Sequence, residues 1–436
     1  MLLLLAVQTL ITTVLWNSAI HTHLLVASAI GMTLYWASVL YIPSAGELLM
    51  AKGFWGVDLN KHPKEQIDTI RSGSSDPEVV KATKMKRIPE SLGVVTAFAY
   101  FIGVLSFYGY LRVAMNWGVE KVLRVDDYMC GALTIIFTTF LGFVDDVLDL
   151  RWRYKIWLPY VAAIPLIVTY TGPTHIRLPR ILLPWWLRDR LVSGDNITSL
   201  GFSGSPGSPG SPGSPGSPGS PGSPGYYEIE LGLLYYVYMI NLSAFYSNAI
   251  NIYAGINGLE AGQALICNLF ILVHNVIECF TGPQDQASSH AVSLIYAILF
   301  MYVTTGLLYY NRYPSRVFVG DTFTMLAGIH LAACAIMGHF AKTLLLFSIP
   351  QIFNFAISLP QLLKLVPCPR HRIPTYDPDT KKLTSSKNWT LINLVLEVFG
   401  DMTEKRLVFV LLALQVASGI VGLAIRYSPV YNVIFQ

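Results

Sequence analysis

Phe143-Val-Asp-Asp-Val-Leu-Asp-Leu-Arg-Trp-Arg-Tyr-Lys155 closes a long apolar run with three carboxylates and ends in positive charge. Asp145 and Asp149 stand at i,i+4 and Asp146 and Asp149 at i,i+3, so a helix through the stretch sets them on one face. Ionisable groups in or beside a membrane segment cost roughly 2.5–3.5 kcal/mol each on insertion scales. Acids and bases gathered there point to a site that handles a cation and a polyanion. The plainer reading is a helix end whose charges sit among lipid headgroups.

The chain has 436 residues, 53% hydrophobic and 13% charged, with a mean hydropathy of +0.49. A soluble domain carries about 25% charged residues. Repeated apolar runs of roughly 20 residues therefore predict an all-α polytopic membrane protein. The net charge is only +4, and no basic tail marks a nucleic-acid partner. Cys130, Cys267, Cys279, Cys334 and Cys368 form no Cys-x-x-Cys pair and no metal spacing. All but Cys368 lie in or near apolar runs and read as core thiols, not a disulfide framework.

Apolar runs at Leu24–Pro43, Leu92–Leu111, Tyr128–Val144, Ile156–Tyr170, Leu231–Asn251, Leu259–Phe280, Val292–Tyr309, Phe323–Phe340, Thr343–Leu363 and Leu407–Ala424 make ten expected spans. Residues 1–23 form an apolar N-terminal extension. Its run, Leu2–Ile20, lacks the basic start of a signal peptide and stays open as an eleventh segment or a signal-like extension. Residues 24–436 read as one transmembrane domain.

If the ten spans alternate, the loops Lys52–Arg87, Arg151–Lys155, Arg312–Arg316 and Lys364–Lys387 share one side. Their Lys and Arg make that side cytosolic. It carries the loop 52–90 and a small cap at 364–404, between the last two spans. The opposite loop, 172–230, contains a Ser-Pro-Gly repeat at 204–225. Pro every third residue bars helix and sheet, and Gly every third bars a packed core, so the repeat reads as a disordered insertion. Asn196-Ile-Thr198 is a glycosylation acceptor pattern on the lumenal side. Asn388-Trp-Thr390 is another, on the cytosolic side, where it is expected to stay unmodified.

Three more stretches carry chemistry on the same side. Asn248 and Asn251 share a helix face near its cytosolic end, before an Asn257-Gly258 turn. An interhelical hydrogen bond would explain each Asn alone; their nearness to the Asp cluster points to a polar site. Asp321 follows Gly320 and opens an apolar run, which fits a helix N-cap, a metal ligand, or both. Pro367-Cys-Pro-Arg-His-Arg-Ile-Pro374 holds Arg370, His371 and Arg372 between stiffening prolines. Arg forks suit phosphate oxygens; contact with lipid headgroups is the alternative. Carboxylate, carboxamide and guanidinium groups on one membrane face suit Mg²⁺ on a diphosphate.

Gly56-Val-Asp-Leu-Asn-Lys61, Ile88-Pro-Glu-Ser91, Asp145–Lys155, Asn248-Ala-Ile-Asn-Ile252, Ala254-Gly-Ile-Asn-Gly-Leu-Glu260, Phe318-Val-Gly-Asp321 and Arg370-His-Arg372 follow one another in this order. This set resembles the polyprenyl-phosphate N-acetylhexosamine-1-phosphate transferases, from about Leu24 to Tyr427. Arg-His-Arg between prolines resembles the eukaryotic branch. The resemblance implies a catalytic set of Asp145, Asp146, Lys155 and Asp321, with Mg²⁺ held by Asn251 and Asp321. It implies that Val57, Asp58, Leu59, Glu90 and Asn257 line the uridine end of UDP-GlcNAc, and that Arg370, His371 and Arg372 grip its sugar and phosphate. Lys155 and the segment Ala244, Phe245, Tyr246, Ser247, Asn248, Ala249, Ile250, Asn251 and Ile252 would meet dolichyl phosphate.

The implied reaction releases UMP and starts lipid-linked oligosaccharide synthesis for protein N-glycosylation. The implied setting is the endoplasmic reticulum membrane, with the site facing the cytosol and tunicamycin as inhibitor. Oligomeric state, a homodimer included, stays open. The loop Gln66–Arg87 is longer than the resemblance leads one to expect, and Tyr376–Lys387 is shorter. An intramembrane Mg²⁺-dependent prenyltransferase would also use an Asp-Asp-x-x-Asp string, but with a second aspartate-rich motif that this chain lacks. A transporter would use buried charges and would often show internal repeats, and none is clear here.

Overall fold

In lipid, a backbone finds no water, so each spanning segment must satisfy its own N–H and C=O groups as a helix. The computed structural model describes residues 20–58, 87–116, 123–150, 155, 157–179, 203–205, 226–282, 284–369 and 372–428, with Thr9 and Thr13. Most of the first apolar run, Leu59, Asn196, residues 206–225, Arg370 and His371 lie outside the described residues.

The bundle is built from α1 (His21–Ala51), α2 (Gly93–Asn116), α3 (Val125–Leu148), the short α4 (Leu158–Ala162) and α5 (Ile164–Val168), α6 (Leu233–Ile252), α7 (Leu259–Thr281), α8 (Gln284–Asn311), α9 (Gly320–Met337), α10 (Ala341–Phe347), α11 (Ile349–Leu362), α12 (Leu391–Phe399) and α13 (Glu404–Arg426). Among the described residues, seven helices are long and apolar enough to cross a membrane: α1, α2, α3, α7, α8, α9 and α13. The pair α10–α11, bent by 77°, makes an eighth if it is one span.

Ten spans were expected, and the difference has local causes. The run Ile156–Tyr170 is two five-residue helices, each with a proline, Pro159 or Pro165, in its first turn. A proline cannot donate to the preceding turn, so it ends one helix and starts the next. Thr343–Leu363 breaks at Ser348, just before Pro350. The helix α6 is 20 residues long, but Tyr235, Tyr236, Tyr238, Asn241, Asn248 and Asn251 lower its hydropathy. Asp149 also departs from expectation. It ends α3 as a left-handed cap at φ 47°, so it does not share the helix face of Asp145 and Asp146.

The helices α8 and α9 sit at the centre. Of their most apolar windows 89% is buried, against 33% for α13, which faces outward. Small residues let α9 lie close to its neighbours. At Gly328, a Cβ would come within 1.8 Å of the Tyr246 carbonyl oxygen on α6. Several buried polar groups are paired across helices. The Tyr100 hydroxyl meets His330 Nδ1 at 2.8 Å, His330 Nε2 meets Asn268 Oδ1 at 2.9 Å, and Asn268 Nδ2 donates to the Ala297 carbonyl at 2.9 Å. Cys267 and Cys334 are buried, as expected of core thiols.

Short strands sit at the helix ends. Strands β1 (Trp55–Val57) and β2 (Arg87–Pro89) pair antiparallel, Gly56 opposite Ile88. Strands β3 (His175–Pro179), β4 (Ser203–Ser205) and β5 (Tyr226–Glu230) form a sheet in the order β3-β5-β4. Gly204 and Ser205 therefore join a strand, contrary to the reading of the whole repeat as unstructured. They precede its first proline, Pro206, and keep their backbone donors. A hairpin of β6 (Thr375–Asp377) and β7 (Lys382–Thr384) leads into α12.

Replacing Gly328 with Ala is expected to destabilise the bundle by about 1–3 kcal/mol, the usual cost of overpacking. Gly109→Ala, where a Cβ meets nothing within 4 Å, is the control. Thermal unfolding in detergent reads both, and equal midpoints would contradict the close α6–α9 approach.

Candidate active site

The first turn of α9 is positioned by two neighbours. Phe318 N–H donates to the Pro89 carbonyl (2.9 Å), while Leu92 and Gly93 N–H donate to the carbonyls of Phe318 (3.1 Å) and Val319 (2.8 Å). This stitches the end of β2 to the entry of α9. Gly320 then turns the chain at φ +73°, where a Cβ would lie 2.7 Å from Ser91 Cα and 2.8 Å from Asp146 Oδ2. No side chain fits there.

Asp146, on α3, caps α9 from outside. Asp321 N–H donates to its Oδ1 (2.7 Å), and Thr322 donates to its Oδ2 through both N–H (2.9 Å) and hydroxyl (2.5 Å). The N-cap reading of Asp321 is corrected here. Val319 occupies that position without a side-chain cap, and Asp146 supplies the acceptor. The Asp321 carboxylate is left to face the cleft. Its Oδ1 accepts from Asn251 Nδ2 (2.6 Å) and its Oδ2 from Lys155 Nζ (2.6 Å). Lys155 also forms an ion pair with Asp145, whose Oδ1 accepts from the Leu150 N–H at 3.1 Å. Burial works against the Lys155 charge, but the carboxylates of Asp321 and Asp145 outweigh it and hold its pKa above the ordinary range.

Lys155, Asn251 and Asp321 border a cleft of about 750 Å³, while Asp145 and Asp146 stand behind them and do not line it. Val57, Asp58, Glu90, Lys155, Asn248, Asn251, Ile252, Asn257, Asp321 and Arg372 all line it, so seven separate stretches of sequence meet. Asp58 and Asn257 are buried at one end, Asn257 Nδ2 donating to Asp58 Oδ2 at 2.8 Å. The carboxyl of Glu90, at the rim, is held above the usual carboxylate range by partial burial and by the charges of Asp146 and Asp321. Burial pulls the Arg372 guanidinium below its ordinary value, and Arg372 Nη1 has no partner among the described residues. A desolvated cation of this kind gains from an incoming anion.

Other expected residues stand back from the cleft. Ala244, Tyr246, Ser247, Ala249 and Ile250 are buried inside the bundle, and Phe245 packs on Phe355 at 5.4 Å between ring centroids. Only Asn248, Asn251 and Ile252 of that segment line the cleft. Leu59, Arg370 and His371 lie outside the described residues. Sequence reading missed Gln361 and Thr390, which also line it. Gln361 sits inside the apolar run Thr343–Leu363 and Thr390 closes the Asn388-Trp-Thr390 pattern, and neither context points to a cleft.

The family described as Glycosyl transferase family 4 matches residues 128–339, from α3 to just past α9. A UDP-N-acetylglucosamine–dolichyl-phosphate N-acetylglucosaminephosphotransferase from Dictyostelium discoideum is 38% identical over 404 residues, covering 90% of this chain and 86% of that protein. The protein of the same name from Schizosaccharomyces pombe is 33% identical, covering 90% of this chain and 89% of its own length. That from Saccharomyces cerevisiae is 31% identical, covering 93% and 91%.

Asp146→Ala removes the α9 cap and is expected to lower stability by about 1–2 kcal/mol. Thr322→Val, which loses only the hydroxyl bond, is expected to cost about 1 kcal/mol. Chemical or thermal unfolding in detergent ranks the two, and an unchanged midpoint for Asp146→Ala would refute the capping role.

Proposed function

This chain belongs to the family of UDP-N-acetylglucosamine–dolichyl-phosphate N-acetylglucosaminephosphotransferases, and we propose that it transfers GlcNAc-1-phosphate from UDP-GlcNAc to dolichyl phosphate, giving GlcNAc-diphosphodolichol and UMP. The observation that carries the proposal is the meeting of Asp321, Asn251 and Lys155, with Asp145 behind Lys155, at one end of apolar helices, in a cleft also lined by Arg372.

In this reaction an acceptor phosphate oxygen forms a bond to the β-phosphorus of UDP-GlcNAc. The bond from that phosphorus to the bridging oxygen breaks, and UMP leaves with the electron pair. The acceptor is already anionic near neutral pH, so the residues need mainly to align two anions and offset their repulsion. Lys155, held charged by its carboxylates, meets the acceptor phosphate. Arg372 meets the sugar phosphate. Asp58 and Asn257 hold the uridine end, with Val57 and Glu90 beside them. Asn248, Asn251 and Ile252 border the acceptor head, while its lipid runs outward between apolar helices.

The oxygen-only donor set of Asp321 and Asn251, backed by Asp145, fits Mg²⁺. Among the described residues no three His, Cys, Asp or Glu side chains group to hold a metal, and Mg²⁺ commonly takes one or two carboxylates, waters and substrate phosphates. When bound, Mg²⁺ supplies charge neutralisation on the diphosphate. The proposal extends to ten spans with the cap of residues 364–404, a site facing the cytosol, an endoplasmic reticulum location and inhibition by tunicamycin. The relatives favour this reading over a prenyltransferase or a transporter.

Purified chain mixed with UDP-GlcNAc and a polyprenyl phosphate is expected to release UMP, to stop on chelation, and to resume with added Mg²⁺. Asp321→Ala is expected to lower turnover by at least about 100-fold. No UMP from the parent chain would end the transferase reading, and near-normal turnover in the variant would remove the metal assignment.

A further inference from the structure

Two walls of the cleft are anchored from behind by residues that do not line it. Asn393, on α12, is fully buried. Its Oδ1 accepts from the N–H (2.9 Å) and hydroxyl (3.0 Å) of Ser386, and its Nδ2 donates to Thr390 Oγ1 (2.8 Å) and to the Arg372 carbonyl (3.0 Å). All of its polar capacity is engaged, and one of the four bonds ends on the backbone of the cleft's arginine. Glu404 opens α13 and is 5% exposed. Its Oε1 accepts from the Asn257 N–H at 2.9 Å. The Asn257 side chain in turn meets Asp58.

The two anchors belong to one unit. Tyr253, Ile256 and Leu259 pack with Ile392, Val395 and Leu407 in a hydrophobic cluster separate from the main bundle core. That cluster ties the 253–259 turn to α12 and the start of α13. We infer that Asn393 and Glu404 are positioning residues for the nucleotide-sugar end of the cleft: through one rigid α12–α13 corner they set the Arg372 and Asn257 walls together. The acceptor end, built by Lys155, Asp321 and Asn251, hangs on α3, α6 and α9 instead. The corner therefore acts on donor affinity and leaves acceptor affinity alone. This inference rests on the transferase reading above.

The role requires acceptor and donor atoms at fixed places, not a charge. Gln at 404 keeps an oxygen for the Asn257 N–H, and Ala does not. Asp at 393 keeps the size and the oxygen facing Ser386, but loses the Nδ2 donor to Thr390 Oγ1 and to the Arg372 carbonyl, and sets an acid against that carbonyl.

The full-length chain and the variants Glu404→Ala, Glu404→Gln and Asn393→Asp are assayed for UMP release, with UDP-GlcNAc and polyprenyl phosphate varied in turn. Glu404→Ala and Asn393→Asp are expected to raise KM for UDP-GlcNAc about 10-fold, as for loss of one buried hydrogen bond. The kcat and the KM for polyprenyl phosphate stay within about two-fold, the pattern of lost uniform binding. Glu404→Gln recovers most of the donor affinity. Unchanged donor KM in both variants, or parallel damage to kcat and both KM values that Gln does not rescue, overturns the inference while the transferase reading stands. Asn393→Asp is isosteric and carries the test if Glu404→Ala does not fold. A parent chain that releases no UMP instead removes the transferase reading, and this inference with it.

Discussion

The first turn of α9 donates three hydrogen bonds to Asp146, and the geometry of the cleft depends on that cap. The leading N–H groups of a helix have no partner inside it. Close to a membrane, water is a poor substitute, so a fixed acceptor must come from elsewhere in the fold. Asp146 provides it from α3. Because Asp145 precedes it on the same helix, the two carboxylates point about 100° apart around the axis. One turns to α9 and the other to Lys155. A single helix end thereby places both the backbone that presents Asp321 and the cation that meets it.

The cleft holds two cations in different settings, Lys155 and Arg372. Lys155 bridges Asp145 and Asp321, which keeps it protonated and holds it still. Arg372 is the complementary case, a half-buried guanidinium whose Nη1 has no partner among the described residues. Burying such groups is costly unless they are paired. The same logic applies to Asp321, whose oxygens already meet one amide and one ammonium.

The molecule has two cores with different tasks. The large one, around α8 and α9, is mostly apolar, and several of its polar groups are paired across helices, as in the Tyr100–His330–Asn268 chain. The small one, around Tyr253, Leu391 and Leu407, lies under the loops. Thr390, the last residue of the Asn388-Trp-Thr390 pattern, caps α12 there through its side chain, so that pattern is part of the packing.

Much was legible in the residues themselves. Apolar runs of roughly 20 residues specify a helical membrane chain, because in lipid the alternative, a closed barrel, is built from shorter alternating strands. Charged and amide residues at the ends of apolar runs, Asp145, Asn251, Asp321 and Arg372 among them, announce a polar site, since such placement is expensive without a purpose. Tertiary structure alone decided that Asp146 caps while Asp145 pairs, that Asp149 leaves the helix face, and that most of Ala244–Ile252 is buried. It also brought in Asn393 and Glu404, which carry no motif. These outcomes turn on which atoms come within about 3 Å of one another across distant segments. Spacing along a chain sets the face of a helix, but not the neighbour that the face will meet.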